Sequence, residues 1–219
     1  MRAAFSFLKK LKKNNNRDWF QAHKEEYNLA KEEFESFIRT VIQKAGKYDP
    51  DIKALDAGKT IFRIYRDIRF SKDKTPYKTH FAASFQKDGK KTGYPGYYIH
   101  LEPGNSFVGG GIWQPDPEFT AKIRQEIDYC REEFLDIINN KNFQSHFGGL
   151  DMKDFSLKRM PKGYEADHPL GEFIKLNSWL ADRAYSDEEV YSEDFLNKVV
   201  SDIKTLKPFM NFLNRALLP

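Results

Sequence analysis

The chain contains one cysteine, Cys130. An intrachain disulfide is therefore impossible and a thiol-rich metal site is excluded, which is compatible with a reducing compartment. Also missing is any apolar run long enough to span a bilayer. The apolar stretch Ala3 to Leu8 is short and comes before Lys9, Lys10, Lys12 and Lys13, whereas a signal peptide places its charges first. We expect a cytoplasmic protein with no membrane partner.

Several signatures of common chemistry are absent too. No Gly-x-Ser-x-Gly elbow and no His-Glu-x-x-His pair is present. Ala57-Gly58-Lys59-Thr60 has the tail of a phosphate-binding loop, but its first glycine is replaced by Lys53 and a strand-like pattern follows. Gly109-Gly110-Gly111 lacks the dinucleotide spacing, because Gln114 occupies the place of the last glycine. These glycines fit a strand that bends or admits a close neighbour. No cofactor is legible.

What the sequence does have is aromatic and basic. Of 219 residues, 40% are hydrophobic and 15% aromatic, ample for a packed core and against disorder. A 3.6-residue stripe from about Arg17 to Ala45 (Phe20, Tyr27, Phe34, Ile38, Val41) predicts one long helix, preceded by a short one that ends at Asn14-Asn15-Asn16. Gly46 to Lys59 reads as turns. From Thr60 the period becomes two and predicts a strand, with Phe62, Ile64, Ile68 and Phe70 on one face and Arg63, Tyr65, Asp67 and Arg69 on the other. Arg66 breaks that pattern on the apolar side.

Further strands are expected at Phe81 to Phe85, ending at a Lys87-Asp88-Gly89 turn, and at Tyr97 to Leu101 and Phe107 to Trp113, joined by Glu102-Pro103-Gly104-Asn105. After Pro117 a helix to about Asn140 is predicted, then a mixed region from Phe143 to Pro169. Phe173 to Leu180 reads as a short helix with a strand as the alternative, and Glu193 to Leu213 as a terminal helix disturbed at Pro208. Helix blocks on both sides of a strand block predict a single α+β domain over 1–219, with a mainly antiparallel sheet flanked by N-terminal and C-terminal helices.

The segment 63–78 stands out chemically. It holds Arg63, Arg66, Arg69, Lys72, Lys74 and Lys78 against Asp67 and Asp73, and its net +4 equals the formal charge of the whole chain. Such a cluster repels itself unless an anion or its own aspartates relieve it. Guanidinium forks fit phosphate or carboxylate, lysine adds mobile charge, and Tyr65 and Tyr77 offer ring faces. The competing reading is a solvated face with internal Arg–Asp pairs.

Elsewhere, His100 and Glu102 share one strand face and could join His80 in a two-histidine, one-carboxylate site. Their spacing is not diagnostic, so structural or hydrogen-bonding roles are the expectation and no metal is expected.

The string Phe62-Arg63-Ile64-Tyr65-Arg66-Asp67-Ile68-Arg69-Phe70-Ser71-Lys72-Asp73-Lys74-Thr75-Pro76-Tyr77-Lys78, followed by Gly96-Tyr97-Tyr98 and Gly109-Gly110-Gly111, resembles the bacterial and fungal family designated domain of unknown function 2461. Phe7-Leu8, Asn15-Asn16-Arg17-Asp18-Trp19-Phe20, Arg159-Met160-Pro161-Lys162-Gly163-Tyr164 and His168-Pro169 are similar to it as well. The family brings no established activity. The resemblance implies that Asn15, Arg17, Trp19, the 63–78 cluster, the glycine strand with Trp113, and Arg159 with Lys162 gather around one cleft.

Three functions compete. The first is a basic, aromatic-lined cleft for a phosphorylated or otherwise anionic small molecule. Its binding residues would be Arg63, Tyr65, Arg66, Asp67, Arg69, Lys72, Asp73, Lys74, Tyr77, Lys78, Tyr98, His100, Trp113 and Arg159. If chemistry follows binding, Asp67, Asp73 or His100 would act as acid or base. The second is a nucleic-acid module that stacks bases on rings and contacts phosphate with basic side chains. The third is a structural or interaction protein whose Arg–Asp network fixes a polar core.

Overall fold

The computed structural model describes residues 1–87, 89–90, 92–153 and 155–218; Asp88, in the turn expected after the strand at Phe81 to Phe85, lies outside them. The chain is α+β. Its four-stranded antiparallel sheet has the order β1-β2-β3-β4 and is flanked by helices. Among the described residues no helix is long and apolar enough to cross a membrane.

The chain opens with helices α1 (Arg2–Lys13), α2 (Arg17–Ala22), α3 (Lys24–Ala45), α4 (Pro50–Lys53) and α5 (Ala57–Thr60). Strands β1 (Phe81–Gln86), β2 (Gly96–Leu101) and β3 (Ser106–Ile112) follow. After them come α6 (Pro117–Tyr129), α7 (Arg131–Ile138), α8 (Lys141–Phe147), α9 (Gly171–Ile174), β4 (Trp179–Tyr185), α10 (Asp187–Tyr191) and α11 (Phe195–Ala216). Two compact units result: 1–85 with 98–108 and 184–200, and 86–97 with 109–183 and 201–219.

In the first unit the N-terminal helices bury the stripes the sequence marked out. Helix α1 buries Phe5, Phe7, Leu8 and Leu11, and α3 buries Phe34, Ile38, Val41 and Ile42. Rings join these faces to each other and to the sheet: Phe7 of α1 lies 5.6 Å from Tyr27 of α3, and Phe34 stacks on Phe81 of β1 at 5.5 Å. Asn16 caps α2 by accepting the Trp19 amide at 2.9 Å, the role asparagine plays at a helix start. The expected continuous helix over 17–45 is interrupted at His23, whose Nδ1 donates to the Trp19 carbonyl at 2.8 Å while its ring stacks on that indole. Within the stretch read as turns, Asp49 and Asp56 cap the one-turn helices α4 and α5.

The strand expected from Thr60 to Phe70 does not form. Thr60 ends α5, and the next residues run extended with two isolated bridges, Ile61 to Ala83 and Tyr65 to Tyr77. Backbone bonds from Arg66 N to Pro76 O (2.9 Å) and Lys78 N to Ile64 O (2.8 Å) close a loop over 65–78. The two-residue alternation persists as far as buried Ile64 between exposed Arg63 and Tyr65. It fails at Phe70, which is 95% exposed, because Asp67 Oδ1 accepts the Arg69 amide at 3.2 Å and turns the chain.

In the second unit α6 and α7 replace the one helix expected to Asn140, and α8 follows. The first break falls at Cys130, whose backbone (φ −105°, ψ 44°) leaves the helical region. The fourth strand of the sheet is β4, preceded by short α9, where the sequence suggested a helix or strand over 173–180. Beside β4, Gly111 holds φ 137°, and an added Cβ would meet the Trp179 carbonyl oxygen at 1.9 Å. Helix α11 runs through Pro208, which has no N–H to donate to the turn before it. Inside this unit Asp202, fully buried, accepts from His146 Nδ1 at 2.6 Å and lies 3.5 Å from Arg183.

Candidate functional site

The loop 65–78 is built around one guanidinium. Arg66, the residue out of register in the sequence, donates to the carboxylate of Asp73 and the hydroxyl of Thr75, to the Thr75 carbonyl at 3.2 Å, and more weakly to Ser71 Oγ at 3.4 Å. Its side chain is three-quarters buried, so these partners supply what water would otherwise give. Asp73 in turn accepts the Thr75 amide at 2.9 Å. That amide, then the Arg66 guanidinium and the Thr75 hydroxyl, holds the Asp73 carboxyl down at about 2.

A second pair lies on the outer side. Arg69 binds Asp67 through Nε (3.0 Å) and Nη2 (2.6 Å), which with the Arg69 amide lowers the Asp67 carboxyl to about 2. Both side chains are largely exposed, so the pair contributes little to stability. Two of the six cations in the cluster are thus bound by the two aspartates of the same segment.

Lys74 is directed differently: its Nζ donates to the Ile68 carbonyl at 3.0 Å. Together with Arg17, Asn15, Asn16, Ile68, Thr75 and Pro76 it lines a groove of about 500 Å³. Asn15 fixes one wall by exchanging two bonds with the Tyr77 backbone, Nδ2 to O at 2.9 Å and N to Oδ1 at 3.1 Å. Among the described residues, no carboxylate lies within ion-pair distance of Arg17, Arg63, Lys72 or Lys74.

The aromatic residues divide. Tyr77 is buried, stacked on Phe20 at 4.0 Å, and is a core ring. Tyr65 is 43% exposed and packs against Tyr77 at 5.4 Å. Tyr98 and His100 sit on β2 beside Phe107, and burial pushes the Tyr98 hydroxyl up to about 12. Lys78 places its ammonium 5.3 Å from the Phe62 ring. Trp113, 64% exposed, and Arg159, also exposed, belong to the second unit.

A further cluster comes together in the first unit. His80, just before β1, His100 on β2 and Glu102 just after it each offer one ligand atom, all within 4.8 Å of one another. Burial, then the neighbouring His100 and Lys78 charges, holds His80 down at about 4. Burial also lowers His100, against the opposing pull of Glu102. Burial raises Glu102, but hydrogen bonds from Thr79, His100 and Asn105 outweigh it and leave the carboxyl below its ordinary value. At neutral pH the cluster is two neutral imidazoles and one carboxylate.

Arg17 entered the sequence reading only through the resemblance, and Thr79 not at all. Arg17 stands alone among helix-start residues and carries no local pattern. Thr79 gains meaning only once β1 and β2 pair.

Fold and site together define an α+β protein with a basic loop tied by its own carboxylates beside a shallow groove. The chain belongs to the family described as conserved hypothetical protein (DUF2461), whose model matches residues 3–212. No curated protein and no solved structure matches it.

Proposed function

We propose that the groove beside Lys74 and Arg17 binds a phosphorylated or carboxylated small molecule. One observation carries this reading: two cations without a carboxylate partner among the described residues line the same groove of about 500 Å³. Unpaired neighbouring cations are costly in each other's presence and favour an anion between them. Arg66 and Asp73 act as the brace that holds the loop, and Arg63 and Lys72 add exposed positive charge. On the polar wall, Asn15 and Thr75 are held by their own bonds, and the Asn16 side chain, whose Oδ1 caps α2, keeps its Nδ2 to orient a ligand.

Calorimetric titration with a nucleoside monophosphate, glucose 6-phosphate and citrate tests the proposal. At least one should bind, and Arg17→Ala or Lys74→Ala should each weaken it roughly 10-fold or more, the loss expected for a charge-assisted hydrogen bond. Arg69→Ala, whose guanidinium is held by Asp67, should change little. Uniformly flat heats, or losses equal in all three variants, overturn it. A gel-shift assay with single-stranded DNA separates the nucleic-acid alternative, because only that mode gives affinity falling steeply with salt.

A further inference from the structure

We propose that His80, His100 and Glu102 form a binding site for a divalent first-row transition ion, zinc above all, distinct from the anion groove. The sheet makes the site. Strands β1 and β2 are neighbours, and the two-residue period of β2 aligns Tyr98, His100 and Glu102 on one side, facing His80 at the start of β1.

The geometry is close to coordination. His100 Nε2 lies 3.3 Å from Glu102 Oε2, the His80 and His100 ring centroids are 4.2 Å apart, and all three ligand atoms fall within 4.8 Å. Bonds of ~2.0–2.2 Å in a tetrahedral site put ligand atoms ~3.4 Å apart. Side-chain rotations that move an atom by about an ångström therefore complete it.

The surrounding bonds orient the ligands as outer partners do in metal sites. Thr79 Oγ1 donates to Glu102 Oε1 at 2.7 Å, directing Oε2 toward the imidazoles. Asn105 Nδ2 donates to Oε2 at 3.3 Å and would yield part of that oxygen to the ion. Tyr98 Oη lies 3.5 Å from His100 Nδ1, on the far side of the ring from Glu102. Ion binding would displace the Nε2 proton shared with Glu102 and put the imidazole proton on Nδ1, facing that hydroxyl, so that the Nε2 lone pair is free for the ion.

His80 supplies the strongest sign. Its half-buried ring has no hydrogen-bond partner among the described residues, although it lies against a second imidazole and near a carboxylate. Two imidazoles and one carboxylate suit zinc or cobalt rather than magnesium or calcium, which prefer all-oxygen sets. Three protein ligands leave a fourth tetrahedral position for water or a substrate atom.

The test uses the full chain, stripped by dialysis against a chelator and titrated with zinc chloride and cobalt chloride. One equivalent should bind, and cobalt should give the visible absorption of a low-symmetry, four- or five-coordinate ion. His80→Asn and Glu102→Gln should each weaken binding at least 10-fold, and Thr79→Ala by about 10-fold through Glu102. His23→Asn, remote in sequence and bonded to Trp19, should leave it unchanged. His80, unlike His100, is not fully buried, so His80→Asn decides the matter even if Glu102→Gln fails to fold by circular dichroism. Absence of stoichiometric binding, equal binding of magnesium and zinc, or affinity unmoved by His80→Asn overturns the proposal.

Discussion

Arg66 marks how far single residues speak for themselves. Its place on the apolar side of an alternating segment signals a guanidinium that needs partners, and the structure supplies Asp73, Thr75 and Ser71. The sequence could not name those partners. Asp67 is the nearer along the chain, yet the turn at Asp67 directs its carboxylate to Arg69 and leaves Arg66 to Asp73. Removing Arg66 orphans the Thr75 carbonyl, so Arg66→Ala should lower the unfolding free energy by roughly 1–3 kcal/mol in urea titrations. Arg69→Ala should leave the urea midpoint where it is. Asp73 carries the matching pH signature. Its folded carboxyl titrates at about 2, below the ordinary 3.8. The unfolded chain therefore binds the proton more readily, so the contribution is complete above pH 3.8 and lost as pH falls toward 2. Carbon-detected NMR of the Asp73 carboxyl should give a midpoint near 2 in the parent and a higher one in Arg66→Ala. The rise should be partial, since the Thr75 amide remains. A parent midpoint near 3.8 would contradict the brace.

Elements were legible where burial is one-sided and local. The stripes of α1 and α3 and the hairpin at Glu102–Asn105 follow from periodicity and turn chemistry alone. Strand β4 was not, because Trp179-Leu180-Ala181-Asp182-Arg183-Ala184-Tyr185 alternates with small alanines that carry little hydrophobic signal. The 60–70 segment misled for the opposite reason: strong alternation without a partner strand to bond along its length. Helix breaks at His23 and Cys130 depend on backbone departures that leave the apolar stripe intact. The glycine run in β3 shows what element-level contact adds. At Gly111 the backbone φ of 137° and the Trp179 carbonyl at 1.9 Å from an added Cβ both oppose a side chain. At Gly104, in the hairpin turn, φ is 79° and nothing lies within 4 Å of the added carbon. Gly104→Ala should therefore cost only the left-handed backbone penalty of about 1–2 kcal/mol. Gly111→Ala must also displace a neighbouring strand and should cost roughly 3 kcal/mol or more. Urea midpoints of the two variants check this, and equal costs would remove the close approach as the reason for the glycine.

Over the whole molecule, charge is the property the sequence stated most plainly and located only in part. The formal +4 coincides with the net charge of 63–78, yet two of those arginines are neutralised by Asp67 and Asp73. The cations left without such a partner among the described residues include Arg17, far away in sequence and brought to the groove only by folding. Local reading sees the charge run but not which charges remain after the chain has paired its own. An anion bound at the groove acts on the stability of the folded state as a whole, since the unfolded chain has no groove to offer. Inorganic phosphate at a hundred times its Kd would stabilise the native state by about 2.7 kcal/mol. For a chain of this size that is a rise in Tm of roughly 5–10 °C. Screening alone would follow ionic strength, so the comparison is phosphate against chloride at equal ionic strength and pH, by differential scanning calorimetry. The parent should show the excess in phosphate, Arg69→Ala should keep it, and Arg17→Ala combined with Lys74→Ala should abolish it while melting alike in chloride. An equal rise in both salts, or an excess that survives the double variant, would assign the stabilisation to general ion effects and leave the groove without an anion.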